Sequence, residues 1–387
     1  MDPISPVPNI MAAHYFNYQQ HVADSFWDRR HFIQGWYNHQ RQDKRWTPPH
    51  SAARQPLLHP QRTPHLARMA PLFLYMDGLA RRSSSLAGGA GFESTLATAL
   101  LLTHAHEAER ITYLSHFSSV NDQDSLETFF YFLSEKLWEK GSHKAIGPCI
   151  VSPHLQCGVL VDSFNLAPPL HTPYNAPYLP ELLQGVMHPL EERRLYYIDI
   201  DTSKESADES ILATASGPAQ LSPLDPMRLA RSLLPLFQTA CTISEHFPAP
   251  DRRESKFLIS QLLLTPTLAW VARIQRTPVG FVLVQPDLGF ALRRANGGRH
   301  WPWRRWLQWR SGRPVTTGRL LYLGVLPAWR RQGIGTQLLT HAVNQAAHRG
   351  WRTVTAGPLP KDNAGVMLLR SLGGTAAQTY QILAADF

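Results

Sequence analysis

Val325-Leu326-Pro327-Ala328-Trp329-Arg330-Arg331-Gln332-Gly333-Ile334-Gly335-Thr336 is the stretch that decides how this chain is read. The apolar run from Leu320 to Leu326 has strand character and ends at a proline, which cannot continue a ladder of hydrogen bonds, so the chain turns out of a sheet. Glycines then open a helix. With no Cβ at Gly333 or Gly335, main-chain N–H groups at the helix start can approach an anion closely, and the helix dipole adds to the attraction. Arg330 and Arg331 place positive charge beside the turn. Behind it, Ile334, Leu338, Leu339, Ala342 and Ala346 recur at helical spacing, an apolar face to pack on the sheet.

A strand, Val-x-Pro, the glycine turn, an amphipathic helix to His348, a strand from Thr353 to Ala356 and a helix led by Asn363 follow one another. This order resembles the GCN5-related N-acetyltransferases (GNATs), whose motif A reads Arg or Gln, two residues, Gly, one residue, then Gly or Ala. Arg330-Arg331-Gln332-Gly333-Ile334-Gly335 satisfies it. The resemblance implies an α+β fold in three α/β/α layers. It implies an acyl-CoA co-substrate, acetyl-CoA or a longer homologue, whose thioester is attacked directly by a substrate amine in a ternary complex. The diphosphate would lie on Arg330, Arg331, Gln332, Gly333, Ile334, Gly335 and Thr336. Main-chain amides near Leu323 and Val325 would bond pantetheine and polarise the thioester carbonyl, and Asn363 would touch the cofactor.

Two positions depart from the family. Where many members carry a glutamate base near the start of the fourth strand, this chain has about Arg319, which cannot accept a proton near neutral pH. Where many carry a tyrosine acid in the last helix, Leu369 stands. Tyr322 is the remaining candidate acid, although strand alternation sets it opposite Leu323, as core packing would. A non-catalytic acyl-CoA-binding protein is therefore the alternative to an enzyme.

Further out, the chain repeats itself. The spacing from Tyr113-Leu114 to Gly141 equals that from Tyr322-Leu323 to Gly350, and both halves run on through a short strand to Gly-Pro, at Gly147-Pro148 and Gly357-Pro358. Each half reads strand, turn, helix, Gly, strand, Gly-Pro. Where the second half has Arg330, Gly333 and Gly335, the first has Asn121, Asp124 and Leu126, without the charge or the glycines to hold a pyrophosphate. The whole, from about residue 30 to 380, resembles bacterial proteins with two GNAT domains in tandem. Residues 202–223, rich in Ser, Ala, Asp and Glu, read as a linker, so the expected division is a degenerate first domain over 1–202, a linker over 203–222, and an acyl-CoA-binding domain over 223–387.

In the first domain, Pro71 to Tyr75 reads as a strand closed by a turn at Met76-Asp77-Gly78, Glu93 to Arg110 as a helix, Ile111 to Phe117 as a strand and Ser125 to Lys140 as a helix. In the second, Pro226 to Glu245 and Ser255 to Leu264 read as helices, followed by strands at Leu268 to Ile274 and Val279 to Val284 around a Thr277-Pro278 turn. Residues 286–318 break the pattern with Arg293, Arg294, Arg299, Arg304, Arg305, Arg310 and Arg313 among Trp301, Trp303, Trp306 and Trp309. This insertion reads either as a border to cofactor or substrate or as a surface excursion tucked in by its tryptophans. Aromatic residues between basic ones can also stack bases, but nucleic-acid binding is the weaker expectation.

A formal net charge of +9 favours polyanionic partners, a phosphorylated cofactor included. Cys149, Cys157 and Cys241 are too few and scattered for a disulfide framework or a zinc site and read as buried thiols in a reducing compartment. His104, His106 and Glu107 have a metal-like spacing but no fourth ligand, so no metal is expected. Neither a signal segment nor an apolar run of membrane-spanning length is evident, so a cytoplasmic protein is expected.

Overall fold

The computed structural model describes residues 15–80, 92–103, 110–200, 218–231, 233–241 and 244–387. The first half contains β1 (Tyr15–Val22), α1 (Phe26–Gln40), α2 (Gln55–Leu58), α3 (Pro64–Arg68), β2 (Leu72–Ala80), β3 (Phe92–Thr103), β4 (Ile111–Ser119) and α4 (Gln123–Glu139). It continues through β5 (Lys144–Ile150), β6 (Ser152–Cys157), β7 (Val159–Leu160), α5 (Leu179–Gln184) and β8 (His188–Asp199). The second half starts with β9 (Gln220–Pro223), α6 (Pro226–Arg231), α7 (Leu234–Cys241), α8 (Arg252–Leu262), β10 (Leu268–Ile274) and β11 (Thr277–Pro286). Then come α9 (Gly289–Arg294), α10 (Trp301–Ser311), β12 (Thr317–Val325), α11 (Ile334–His348), β13 (Thr353–Pro360), α12 (Ala364–Ser371) and β14 (Thr375–Asp386).

All these strands join one sheet, ordered β1-β2-β3-β4-β5-β14-β8-β13-β12-β11-β10-β9, with β6 on β5 and β7 on β14. The repeat expected from spacing is a repeat of topology. In each half, antiparallel strands lead to one parallel pair, β4 with β5 and β12 with β13. A parallel pair needs a crossover, and α4 and α11 supply it. Gly141 and Gly350, which end those helices, have φ of +64° and +76°, the left-handed conformation a helix C-terminus favours. The Gly147-Pro148 and Gly357-Pro358 bonds fall at the same place in β5 and β13, and both are cis.

In the middle of the sheet the halves exchange their last strands. β14, the last strand of the second half, pairs with β5 of the first, β8 pairs with β13, and β8 and β14 pair with each other. A division at 202/203 therefore leaves each unit lending its final strand to the other's sheet. Of the expected linker, residues 201–217 lie outside the described residues, and Gln220 to Ser222 are part of β9, paired with β10.

Side-chain alternation explains the layering. Val282 and Val284 of β11 join a core under α11 and α12 with Leu338, Leu339, Val366 and Leu369. Their neighbours Phe281 and Leu283 join the opposite core with Phe237 of α7 and Leu258 of α8. The first half does the same: Leu74 and Met76 pack with Leu126 and Phe129 of α4, while Phe73 and Tyr75 pack with Phe32 and Ile33 of α1. The fold is the expected mixed α/β one with helices on both faces.

Several local expectations are corrected. Of the helix expected from Glu93 to Arg110, residues 104–109 lie outside the described residues and Glu93 to Thr103 belong to strand β3, because Leu96 to Leu102 are buried on both faces between β2 and β4 and so show no helical period. Met76-Asp77-Gly78 is not a turn, since β2 continues through it, paired with β1 and with β3, against which its register shifts between Met76 and Asp77. The β10–β11 turn sits at Gln275 and Arg276, with φ of 47° and 70°, whereas Thr277 and Pro278 already pair with β10. The helix expected over 226–245 is broken into α6 and α7. Cys149 and Cys157 are buried free thiols facing each other across β5 and β6. The side chain of Cys241 and the His104-x-His106 segment lie outside the described residues.

Candidate functional site

β12 and β13 are in parallel register from Thr317–Thr353 to Leu320–Ala356 and then part, although β12 runs on to Val325 and β13 to Pro360. Between the separated ends lies a cleft of about 700 Å³. Its floor is β12 from Leu320 to Val325; one wall is the turn into α11 and the other is the start of α12.

The turn has the predicted open main chain. Gly333 is the N-cap of α11 in the left-handed conformation, φ 78° and ψ −5°, with no side-chain cap. The first hydrogen bond of the helix runs from Gln337 N to Gly333 O at 2.9 Å. The N–H groups of Gly333, Ile334, Gly335 and Thr336 thus have no partner within the helix. A Cβ on Gly333 would meet nothing within 4 Å, so the side-chain side of the cap residue is open, and Gly333, Gly335 and Thr336 line the cleft. Arg331, also left-handed at φ 59°, and Arg330 are exposed beside it, with Arg330 Nε donating to Val325 O at 3.1 Å.

Of the residues anticipated for the cofactor, Leu323, Val325, Arg330, Arg331, Gly333, Gly335, Thr336 and Asn363 all line this cleft. Two do not. Ile334 is buried in the core under α11, so only its main chain faces the turn, and Gln332 is exposed, its Nε2 donating to Ala328 O at 3.4 Å. Asn363 caps α12 by accepting from Gly365 N at 2.8 Å. Thr239 and Ala240 of α7 and Met367 and Leu368 of α12 also line the cleft and were not anticipated. The signal was present at Gly324, where an added Cβ would lie 2.9 Å from Ala240 and 3.2 Å from Thr239, so a glycine in this strand marks a helix lying close against it.

Tyr322 is 8% exposed, packs on Phe237 with ring centroids 5.0 Å apart, and donates from its hydroxyl to His154 O of β6 at 2.6 Å. It lines the large cleft and also an adjoining one of about 90 Å³. Arg319 faces only the smaller one. It is 3% exposed, donates from Nη2 to Gly357 O, and burial lowers its pKa to about 10, which leaves it charged at neutral pH.

The equivalent turn of the first half is closed. Asp122 caps α4 there, its carboxylate accepting from Ser125 N at 2.9 Å and from the Ser125 hydroxyl. A carboxylate already occupies the place where an anion would bind, and would repel one. The parallel register of β4 and β5 also extends further, to Ser115–Cys149.

The Arg- and Trp-rich insertion contributes no residue to the large cleft. It clasps the first half instead: the Tyr37 hydroxyl donates to Asn296 Oδ1 at 2.7 Å, Arg293 Nη1 to Thr47 Oγ1 at 2.7 Å, and Arg299 Nη2 to Gln34 Oε1 at 2.8 Å. Trp301, Trp303 and Trp309 are exposed rather than tucked in. Among the described residues no group of three or more His, Cys, Asp and Glu is placed to hold a metal ion, and no helix is long and apolar enough to cross a membrane.

Comparison with known proteins agrees with this architecture. Residues 231–373 match the sequence profile of the acetyltransferase (GNAT) family. Among curated proteins no sequence match was found. A tandem GNAT protein from the clavulanic acid biosynthesis pathway superimposes over 96% of this chain and 98% of its own, with a TM-score of 0.53 at 11% identity. A probable N-acyltransferase from Enterococcus faecalis covers 96% of this chain and 72% of its own, with a TM-score of 0.53 at 6% identity. A GCN5-related glucosamine N-acetyltransferase region of a fungal multi-domain β-N-acetylglucosaminidase covers 95% of this chain and 38% of its own, with a TM-score of 0.54 at 11% identity. Residues 231–373 thus form a domain of the acetyltransferase (GNAT) family, in a chain that folds as two GNAT-like units in tandem.

Proposed function

We propose that the protein is an acyl-CoA-dependent N-acyltransferase, with acetyl-CoA or a longer acyl-CoA bound in the cleft between β12 and β13. The observation that carries this reading is the uncapped start of α11, where four main-chain donors and the charges of Arg330 and Arg331 face open space at the mouth of a split sheet. The diphosphate fits there, pantetheine along Leu323 and Val325, and Asn363 at the far wall. The acceptor amine attacks the thioester carbonyl, a C–N bond forms, the C–S bond breaks, and amides of β12 stabilise charge on the carbonyl oxygen. Tyr322 is the candidate to protonate the departing thiolate. The amine's proton passes to water or to a group of the first half. The site is served by a protein without a membrane-spanning helix among its described residues, which is consistent with the cytoplasm, where acyl-CoA is made.

The test is calorimetric titration with acetyl-CoA and longer acyl-CoAs of the wild type and of Gly333→Asp. Aspartate is a favoured helix N-cap and visits the left-handed region more readily than most residues, so the fold should tolerate it while its charge opposes the diphosphate. Affinity should fall by at least about tenfold. Unchanged binding would break the assignment of the cleft. Absence of transfer to any amine from bound acetyl-CoA would leave a binding module, the reading that Arg319 and Leu369 at the family's base and acid positions favour.

A further inference from the structure

The cavity of about 90 Å³ beside the acyl-CoA cleft has a composition unlike its neighbours. It lies between the halves, with His154, His171 and Arg193 from the first and Ser244, Arg319 and Tyr322 from the second. Leu321, Tyr322, Gly357 and Leu359 line both it and the acyl-CoA cleft, so the two meet where β12 and β13 separate. On its other side Leu155, Gln156 and His171 are shared with a third cavity of about 130 Å³, whose walls include Trp36, Trp46, Leu57, Phe117 and Ile150. A polar chamber therefore separates the acyl-CoA cleft from an apolar one.

Arg319 is the unexplained residue of this chamber. Its Nη2 is bonded to Gly357 O, but Nε and Nη1 are buried without a partner, and it forms no ion pair among the described residues. The buried carboxylate of Asp287 acts on it from a distance and is itself bonded by the N–H groups of Gly289 and Leu170. Arg193, the other arginine of the chamber, is already paired with Glu191, Nε to Oε1 at 2.5 Å. Tying β12 to Gly357 needs one donor; the three N–H groups on Nε and Nη1 of this buried guanidinium remain unpaired, and leaving such a charge unanswered is costly. The buried imidazole of His171, beside Gln285, lies on the same wall.

We propose that this chamber is the acceptor subsite and that the acceptor is an amine bearing a carboxylate, an amino acid with an apolar side chain. The inference rests on the acyltransferase reading for the amine and on Arg319 for the carboxylate. The carboxylate answers the free edge of Arg319, the amine lies toward Leu321 and Gly357 at the thioester, and the side chain extends past Leu155 into the apolar cavity. The short distance between amine and carboxylate in an amino acid matches a chamber that opens directly onto the cleft.

The experiment titrates the protein with N-acetylphenylalanine, N-acetylphenylalanine amide and N-acetylglycine as product analogues, and separately with acetyl-CoA. It compares the wild type, Arg319→Gln and Arg319→Lys. The wild type should bind N-acetylphenylalanine at least roughly tenfold more tightly than its amide, because a site built to bond a charged group penalises the ligand that lacks it. Arg319→Gln should lose that preference, Arg319→Lys should keep part of it, and acetyl-CoA affinity should stay within about threefold in both, as expected for a change outside that cleft. Equal binding of acid and amide by the wild type overturns the proposal without any variant. So does a preference that survives Arg319→Gln. A wild type that prefers the acid but does not bind acetyl-CoA would instead sink the acyltransferase reading and leave the anion subsite standing.

Discussion

At the scale of single residues, the site is built from positions where the ordinary use of a side chain has been given up. Gly333 offers main chain where α4 is capped by Asp122. The missing glycines were legible in sequence, at Asn121, Asp124 and Leu126, because a turn is local; that Asp122 supplies the cap was not. Arg319 could be read only negatively, as a base that is missing; its orphaned donors are a product of burial between strands from both halves, which no local pattern encodes. Of the two roles read for Tyr322, the structure shows the packing one, with the ring in the core; the residue also lines both cavities, and the acid role is left to the test that follows. Tyr322→Phe should cut kcat about 100-fold if the hydroxyl serves as acid, with acetyl-CoA affinity retained in calorimetry. A loss confined to about 1 kcal/mol of stability would assign the hydroxyl to its tie with His154 alone. Glu254, buried with Oε1 accepting from Ser152 Oγ at 2.6 Å, has its pKa pushed up by burial to about 7. A carboxyl whose folded pKa exceeds its unfolded value binds its proton more tightly in the native state. The stability present below pH 4.5 is therefore lost as pH rises through about 7. Glu254→Gln should remove this slope, flattening the thermal midpoint across that window by the equivalent of ~2–3 kcal/mol.

At the scale of elements, what was legible followed from periodicity and what was missed did not have any. α4 and α11 each show one apolar face because each covers one face of the sheet. β3 was read as a helix because a strand covered on both faces is apolar throughout, and a continuous run carries no period to tell the two apart. β14 was not read at all, since its pairing partners β5 and β8 are far away in sequence and only the completed sheet defines it. The comparison of α4 with α11 gives a prediction at this scale. The capped start of α4 should bind no diphosphate, so acetyl-CoA should titrate to one site per chain. Asp122→Ala should cost about 1 kcal/mol through loss of the cap and create no second site. Two equivalents bound by the wild type would show that the first unit still works as a cofactor domain.

At the scale of the whole molecule, the exchange of β8 and β14 decides how the halves depend on one another. Two tandem domains joined only by a linker would present a small interface and unfold separately. Here the sheet of each half is completed by a strand the other supplies, Leu383 and Ala385 of β14 sit in the first half's core with Phe129, and the cavity holding Arg319 takes its walls from both halves. A chamber made this way keeps its shape only while both units are folded, which gives the first half a structural task whether or not it binds a cofactor. Phe129→Ala, set in that core away from the cleft between β12 and β13, should destabilise by ~3–5 kcal/mol. Because of the exchanged strands, that loss should not stay in the first half. Far-UV circular dichroism should show one transition, shifted down, and acetyl-CoA binding followed by calorimetry at rising temperature should vanish at the same lowered midpoint. Two separate transitions, with cofactor binding surviving the first, would mean that β14 can be peeled from β5 without cost to the second unit, and that the shared sheet joins the halves without coupling them.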